Sequence, residues 1–247
     1  MAQIRLHFYQ SLNDFVERAL RDTEIIHNLD RKASVKDMIE SFNVPHTEIE
    51  LILVNGIAVD FSYIVQCSDY IQVYPASEHP VVTPLLPLRP TSMRPPLFLV
   101  DVNLGRLARY LRLLGFDCCY RNDYDDATVA RIASEQQRTV LTRDRTLLQR
   151  RIITYGYFVR ASLPKIQTQA VLKRFDLYAL LKPLTRCTHC NGQLVETEKQ
   201  KIEHRLEPLT KQHYDRFLMC PECDRIYWQG SHCERVKHLI DDFLAAE

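Results

Sequence analysis

The 247-residue sequence lacks an excess of either charge, because 32 basic side chains against 31 acidic ones give a net charge of +1. Bulk electrostatics therefore indicates no partner, and nucleic acid, if bound, must meet local basic patches. The sequence also lacks an apolar run long enough to span a bilayer, and its first residues, MAQIRLHFYQ, lack the apolar core of a signal peptide. These absences predict a cytoplasmic protein with no membrane partner.

The composition predicts packed domains, and the cysteine pattern indicates a metal. Hydrophobic residues make up 46% of the chain, whose length is enough for two or three compact domains. Four of the eight cysteines form C-x-x-C pairs, Cys187 with Cys190 and Cys220 with Cys223. Such pairs favour metal binding over disulfides. Cys67 and the Cys118-Cys119 doublet are interpreted as buried strand residues.

Three aspartates stand at predicted strand-to-helix joints. Asp101 ends the strand LFLVD, Asp126 opens the helix after the next strand, and Asp144 ends the strand TVLTRD. In an open parallel sheet these joints lie along the carboxyl edge, where ligands bind. Converging carboxylates repel one another unless a cation neutralises them, and Mg²⁺ is the common oxygen-seeking candidate. Each aspartate, Asp126 included, is also explained by a helix N-cap.

Residues 1–76 are predicted to form a small α+β module. The alternation in QIRLHF marks a half-buried strand, Ser34 caps a helix, and Asn55-Gly56 turns a hairpin. The VNG hairpin and the last strand, IQVYP, resemble the ubiquitin-like β-grasp fold of small sulfur carriers. Those carriers end in Gly-Gly, whereas this chain continues through PAS. The module is therefore expected to dock a protein or guide substrate, or to be a stabilising appendage.

A Pro-rich linker and an α/β segment follow this module. Residues 77–96 contain no glycine, which predicts an extended and semi-rigid connection. In residues 97–182, four strands alternate with helices, which implies a parallel sheet with right-handed crossovers. The predicted strands are LFLVD, FDCCYR, TVLTRD and ITYGYFVR. The predicted helices cover 103–114, ATVARIASEQQ, RTLLQRR and a segment capped by Ser162 with Pro164 in its first turn.

Residues 183–247 combine the cysteine pairs with a charged helix, ERVKHLIDDFLAA. Each C-x-x-C pair can form a turn that presents two thiolates, and two such turns make a tetrahedral Cys₄ site, as in zinc ribbons. A redox pair is the alternative, but neither pair opens a helix after a strand of a βαβ unit. The sequence therefore predicts structural Zn²⁺ held by Cys187, Cys190, Cys220 and Cys223.

The runs LVDVNLGRLARYLRLLGFD, DYDDATVARIA and RTVLTRD resemble the PIN-like ribonuclease family. They most resemble its branch first described at the C-terminus of a mutator-type exonuclease, which in bacteria often carries a β-grasp module and a zinc ribbon. The resemblance implies an α/β fold class, a PIN-like parallel sheet with flanking helices, preceded by the β-grasp domain and followed by the ribbon. It also implies an endoribonuclease that cleaves RNA phosphodiester bonds with Mg²⁺ or Mn²⁺.

The resemblance assigns the metal-holding acids to Asp101, Asp126 and Asp144, with Asp123 and Asp125 as weaker candidates for the second position. A guanidinium fork matches phosphate oxygens, so candidate substrate contacts are Arg106, Arg109 and Arg143. Their alternative is a solvated helix face. In the similar family a Y-W-x-G-S-H run follows the second cysteine pair, which adds His232 as a phosphate contact. Tyr227 and Trp228 are expected to pack the ribbon against the nuclease domain, with stacking on RNA bases as the alternative.

Two other functions stay open at this point. A non-catalytic RNA-binding protein with a vestigial site accounts for the missing fourth acid, which many PIN-like enzymes carry where this chain reads FVRASLPK. The three retained aspartates argue against it. A sulfur- or cofactor-related adaptor built on the β-grasp module is disfavoured because the chain lacks the Gly-Gly pair.

Overall fold

A computed structural model describes residues 2–76, 80, 86–91, 94–228 and 243 of the chain. The chain divides into two compact units, and neither unit is continuous in sequence. The first comprises Met1–Ser92 and Asp125–Phe158, and the second comprises Met93–Tyr124 and Val159–Glu247. Among the described residues, no helix has the length and apolar character needed to cross a bilayer.

The N-terminal module is a five-stranded mixed sheet with one helix. Its elements are β1 (Gln3–Phe8), β2 (Ile25–Asn28), α1 (Val35–Ser41), β3 (Ile49–Val54), β4 (Ile57–Ala58) and β5 (Tyr70–Pro75). The strand order is β2-β1-β5-β3-β4, and β1 and β5 are parallel while the other neighbours are antiparallel. This is the predicted β-grasp arrangement.

Local signals in the module act as predicted. Ser34 Oγ accepts the N–H of Asp37 at 3.1 Å and so caps α1. Asn55 and Gly56 have φ angles of 52° and 82°, the left-handed pair that a tight hairpin between β3 and β4 requires. The sequence does not predict strand β2. Its segment IIHN begins with two adjacent Ile residues, of which Ile25 is buried and Ile26 is 67% exposed, so apolar and polar residues do not alternate along it.

The central part of the chain alternates strands and helices. Its strands are β6 (Phe98–Val100), β7 (Cys118–Cys119), β8 (Thr139–Thr142) and β9 (Gly156–Phe158). Its helices are α2 (Gly105–Leu113), α3 (Asp126–Glu135), α4 (Arg145–Leu148) and α5 (Pro164–Arg174). In one unit β6 pairs with β7, in the other β8 pairs with β9, and both pairs are parallel. The α/β class is therefore confirmed.

Three local predictions, two in the central segment and one in the N-terminal module, need correction. The helix expected over 103–114 begins at Gly105, because residues Val102–Leu104 form a 3₁₀ turn. Ser162 does not cap α5, since its N-cap is Leu163 without a side-chain bond, although Pro164 does occupy the first turn. Cys67 is exposed in a turn before β5, where the left-handed Ser68 (φ 69°) ends the extended backbone.

The C-terminal part is a three-stranded antiparallel sheet. Its elements are β10 (Val195–Thr197), α6 (Lys199–Ile202), α7 (Pro208–His213), β11 (Phe217–Met219) and β12 (Ile226–Trp228). The sheet order is β10-β11-β12. Apart from Phe243, the predicted charged helix ERVKHLIDDFLAA lies outside the described residues, as does His232.

Candidate active site and metal centre

The four paired cysteines meet at one point in the second unit. Sγ of Cys187 lies 3.5 Å from Sγ of Cys223, and Sγ of Cys190 lies 3.3 Å from Sγ of Cys220. All four sulfurs lie within 4.8 Å of one another, and within the described part of the chain they form the one such group of three or more His, Cys, Asp or Glu ligand atoms. A tetrahedron of Zn–S bonds of 2.3 Å needs S···S distances of about 3.8 Å, so the donor set fits zinc.

The two C-x-x-C turns have the same backbone design. Cys187 O accepts the N–H of Asn191, and Cys220 O accepts the N–H of Asp224, at 3.0 and 2.8 Å. Asn191 and Asp224 both adopt left-handed backbones, with φ of 77° and 59°. Each turn thereby reverses the chain directly after its second cysteine, which leaves both thiols of the pair on the inner side.

Tyr227 lies against the four-cysteine cluster. Its hydroxyl lies 3.1 Å from Cys187 Sγ and 3.3 Å from Thr188 Oγ1. Burial raises the pKa of the Cys187 thiol, but hydrogen bonds from Tyr227 and from backbone N–H groups outweigh burial and lower that pKa to about 6. Tyr227 thus packs on the first cysteine pair, whereas Trp228 is 40% exposed.

Asp144 lies two residues after the end of β8 and is oriented by helix α4, which it caps. Its Oδ1 accepts the N–H of Thr146 at 2.7 Å, the hydroxyl of Thr146 at 2.7 Å and the N–H of Leu147 at 3.4 Å. Burial raises the pKa of Asp144, but these hydrogen bonds and the charge of Arg150 lower it below the ordinary 3.8. The carboxylate is therefore ionised at neutral pH and can serve as an oxygen ligand.

Asp126 lies one position further into α3 than predicted. The N-cap is Asp125, whose Oδ1 accepts the N–H of Thr128 at 2.8 Å, so the prediction that Asp126 caps this helix is wrong. The reason is that Asp125 has the extended backbone of a cap (φ −84°, ψ 166°), while Asp126 is already helical. The carboxylate of Asp126 is consequently not used for capping.

Arg150 is a neighbour of these acids that the sequence did not reveal. Its Nη2 lies 3.6 Å from Asp126 Oδ2, and its charge contributes to the lowered pKa of Asp144. Hydrogen bonds from Thr128 lower the pKa of Asp125, and Arg150 adds to this effect. No motif marks Arg150, one of two adjacent arginines after α4, because only tertiary folding brings it to α3.

Asp101 directly follows β6 in the second unit. It is 7% exposed, and its Oδ1 accepts the N–H of Val102 at 2.7 Å, so it caps the 3₁₀ turn that follows. Asp126 and Asp144 belong together to the first unit, whereas Asp101 belongs to the second. The convergence of all three on one rim stays a prediction.

The remaining candidates lie at the surface. Asp123 is held by Arg121 through two contacts of 2.7 and 2.9 Å, an exposed pair. Arg106 and Arg109 lie on the exposed face of α2, and Arg143 is exposed just before Asp144. These positions fit either phosphate contacts or a solvated surface.

A ubiquitin-like module combined with an α/β segment and a four-cysteine centre defines the class of this protein. Residues 96–240 match the family model described as the Mut7-C RNAse domain, and residues 1–81 match the one described as Mut7-C ubiquitin. Because the first match covers more than half of the chain, the protein belongs to the Mut7-C RNase domain family and carries the Mut7-C ubiquitin module. No curated protein and no solved structure matches the chain significantly.

Proposed function

We propose that this protein is a metal-dependent endoribonuclease that cleaves RNA phosphodiester bonds at a site built from Asp101, Asp126 and Asp144. Membership of an RNase domain family supports the reaction class. The observation that carries the proposal is the joint after β8, where Asp144 is oriented by three hydrogen-bond donors and kept ionised. Arg150, which lies beside Asp126, also lowers the pKa of Asp144.

The three carboxylates offer the hard oxygen donors that Mg²⁺ and Mn²⁺ prefer. Such an ion, when bound, supplies positive charge at the phosphate and acidifies a water molecule. The chain's own residues keep Asp144 ionised and place the guanidinium of Arg150 beside Asp126. Arg150 pairs with Asp126 at 3.6 Å across an exposed contact, which is weak enough for the guanidinium to turn to a phosphate. We assign Arg143 and Arg150 to phosphate contact.

The four-cysteine centre is proposed to hold structural Zn²⁺. Four thiolates leave no open coordination position, which is the arrangement of structural rather than catalytic zinc. The acid site and the zinc site therefore have separate roles, and a strong chelator and an excess of Mg²⁺ should act on them differently.

The decisive test compares wild type with Asp144→Asn and Asp101→Asn in cleavage of a mixed RNA pool with Mn²⁺ or Mg²⁺. Each change removes a charge from the side chain without changing its volume. The rate of cleavage should fall about 100-fold or more, because metal catalysis supplies several kcal/mol of transition-state stabilisation. Zinc content and the far-UV circular dichroism spectrum should stay as in wild type. Asp123→Asn is the matched control, because it removes an acid engaged in an exposed ion pair with Arg121.

Retention of RNA on a filter by a wild type that does not cut would instead support a non-catalytic RNA-binding protein. The absence of an acid in FVRASLPK, after β9, favours that second candidate. Loss of cutting in Asp123→Asn would move the second acid of the site from Asp126 to Asp123.

A further inference from the structure

The residue that follows Asp144 is held by the ubiquitin-like module. Arg145 Nη2 donates to Asp14 O at 3.1 Å and Nη1 to Phe15 O at 3.4 Å. The guanidinium carbon lies 5.2 Å from the ring centroid of Phe15 and 5.6 Å from that of Phe158. One side chain thus joins the 3₁₀ turn after β1, the first turn of α4 and strand β9, all within the first unit.

Further contacts hold the segment between α4 and β9 on the same module. His46 Nε2 donates to Ile153 O at 2.8 Å, and His46 is only 6% exposed. Glu48 Oε1 accepts the N–H of Phe158 at 2.7 Å, so a carboxylate of the module binds a backbone N–H of β9. The first bond lies in the loop between α4 and β9, and the second lies at the last residue of β9.

Helix α4 has four residues, too few to be stable without tertiary contacts. The N–H groups that orient the Asp144 carboxylate belong to this helix, at Thr146 and Leu147. Buried Leu147 and Leu148 fix one side of the helix, and Arg145 fixes its start. The direction of the Asp144 carboxylate therefore depends on contacts made by the ubiquitin-like module.

We propose that Arg145 is a positioning residue, through which the ubiquitin-like module sets the geometry of Asp144. This inference rests on the proposed function, since it assigns Asp144 to metal binding. The module is then an internal scaffold of the nuclease site, and its surface at residues 14–15 and 46–48 is used within the chain. Arg145 itself acts through Asp144 and is not a substrate contact.

The test uses the full-length protein with Arg145→Ala, Arg145→Met and Arg145→Lys. Arg18→Ala, in an exposed 3₁₀ turn of the same module, is the matched control. Hydrogen exchange at the amides of Thr146 and Leu147 reports how well ordered the start of α4 is, and it does not depend on a cleavage assay. Cleavage at a series of Mn²⁺ concentrations reports the metal site, and retention of a fluorescent single-stranded RNA on a filter reports substrate binding.

In the Ala and Met variants we expect hydrogen exchange at the Thr146 and Leu147 amides to be about tenfold faster. The reason is that both hydrogen bonds of the charged Arg145 guanidinium to the module are lost. The same loss leaves the Asp144 carboxylate less well oriented for the metal, so the Mn²⁺ concentration at half-maximal cleavage should rise by about tenfold. The affinity for RNA should stay unchanged. Lys keeps the charge over the rings but loses the fork, so Arg145→Lys should recover exchange to within about threefold of wild type.

Exchange equal to wild type in both variants would overturn the proposal. Weakened RNA retention with unchanged exchange would overturn it too, because Arg145 would then contact substrate. Met preserves the apolar stem, so it decides the matter if Ala fails to fold. A wild type that does not cut RNA would refute the proposed function, while the exchange measurement would still decide whether Arg145 positions Asp144.

Discussion

Adjacent aspartates can have different functions when a helix begins between them, as Asp125 and Asp126 show. The carboxylate of Asp125 accepts a hydrogen bond from the N–H of Thr128, whereas the carboxylate of Asp126 lies 3.6 Å from the guanidinium of Arg150. We therefore predict that Asp125→Ala lowers the midpoint of thermal unfolding but leaves cleavage within about threefold, because a cap contributes to stability. Asp126→Asn should remove cleavage and leave the unfolding midpoint unchanged.

Asp125→Asn is the control for this pair, since Asn caps a helix as well as Asp does. It should match wild type in both unfolding and cleavage. Loss of cleavage in Asp125→Asn, with Asp126→Asn still active, would assign the metal ligand to Asp125.

The same residues show what the sequence can resolve at this scale. It correctly placed an acid at the start of α3, because DYDD precedes an apolar periodic segment. The choice between neighbouring acids depends on backbone angles, and the extended backbone of Asp125 decides it. Arg150 could not be found, since its contact with Asp126 spans 24 residues of chain and follows no local pattern.

At the scale of elements, the first cysteine turn is fastened to strand β7. Buried Arg112 donates from Nε to Cys118 O at 2.8 Å and from Nη1 to His189 O at 2.6 Å. Asn191 Oδ1 accepts the N–H of Cys118 at 2.9 Å. A metal that fixes this turn therefore also fixes β7, because the same loop provides ligands to the metal and acceptors to Arg112.

We predict that Cys220→Ser lowers bound zinc below one ion per chain and increases hydrogen exchange at the Cys118 amide by at least about tenfold. Structural zinc contributes folding energy directly, so the loss extends to the strand that the turn supports. Mass spectrometry of the intact protein gives the zinc content. Hydrogen exchange measured on a peptide covering residues 117–120 gives the exchange rate at the Cys118 amide. Exposed Cys67→Ser should change neither, and unaltered exchange in a zinc-free Cys220→Ser would contradict the coupling.

Elements that carry a local sequence signal were predictable, and elements without one were not. Helices α2 and α3, with apolar residues at helical spacing, lie close to their predicted positions, as do the hairpin and the cysteine turns. β2 and the exact start of α5 carry no comparable signal. Their positions are set by the neighbours on which they pack, which is information that the local sequence does not contain.

For the whole molecule, the chain passes from the first compact unit to the second, back to the first, and then again to the second. The sequence places a domain boundary in the Pro-rich linker at 77–96, as composition alone suggests. In the structure, residues 125–158 share a unit with residues 1–92. The contacts responsible join positions about 100 residues apart, such as His46 with Ile153 and Glu48 with Phe158. No compositional signal marks such contacts.

Deletion of residues 1–96 therefore tests whether the nuclease segment folds without the module. The fragment 97–247 loses both hydrogen bonds of Arg145, the bond of His46 to Ile153 and the bond of Glu48 to Phe158. At about 1 kcal/mol each, these four bonds amount to about 4 kcal/mol. We expect the unfolding midpoint to fall by about 10 °C, as for a domain of this size. Calorimetry gives the midpoint, and zinc content is the control, because the cysteines lie in the other unit and should still bind one ion. A fragment as stable as the full chain would show that the boundary at 96 separates independent domains, and that the module's contacts with β9 and α4 contribute little.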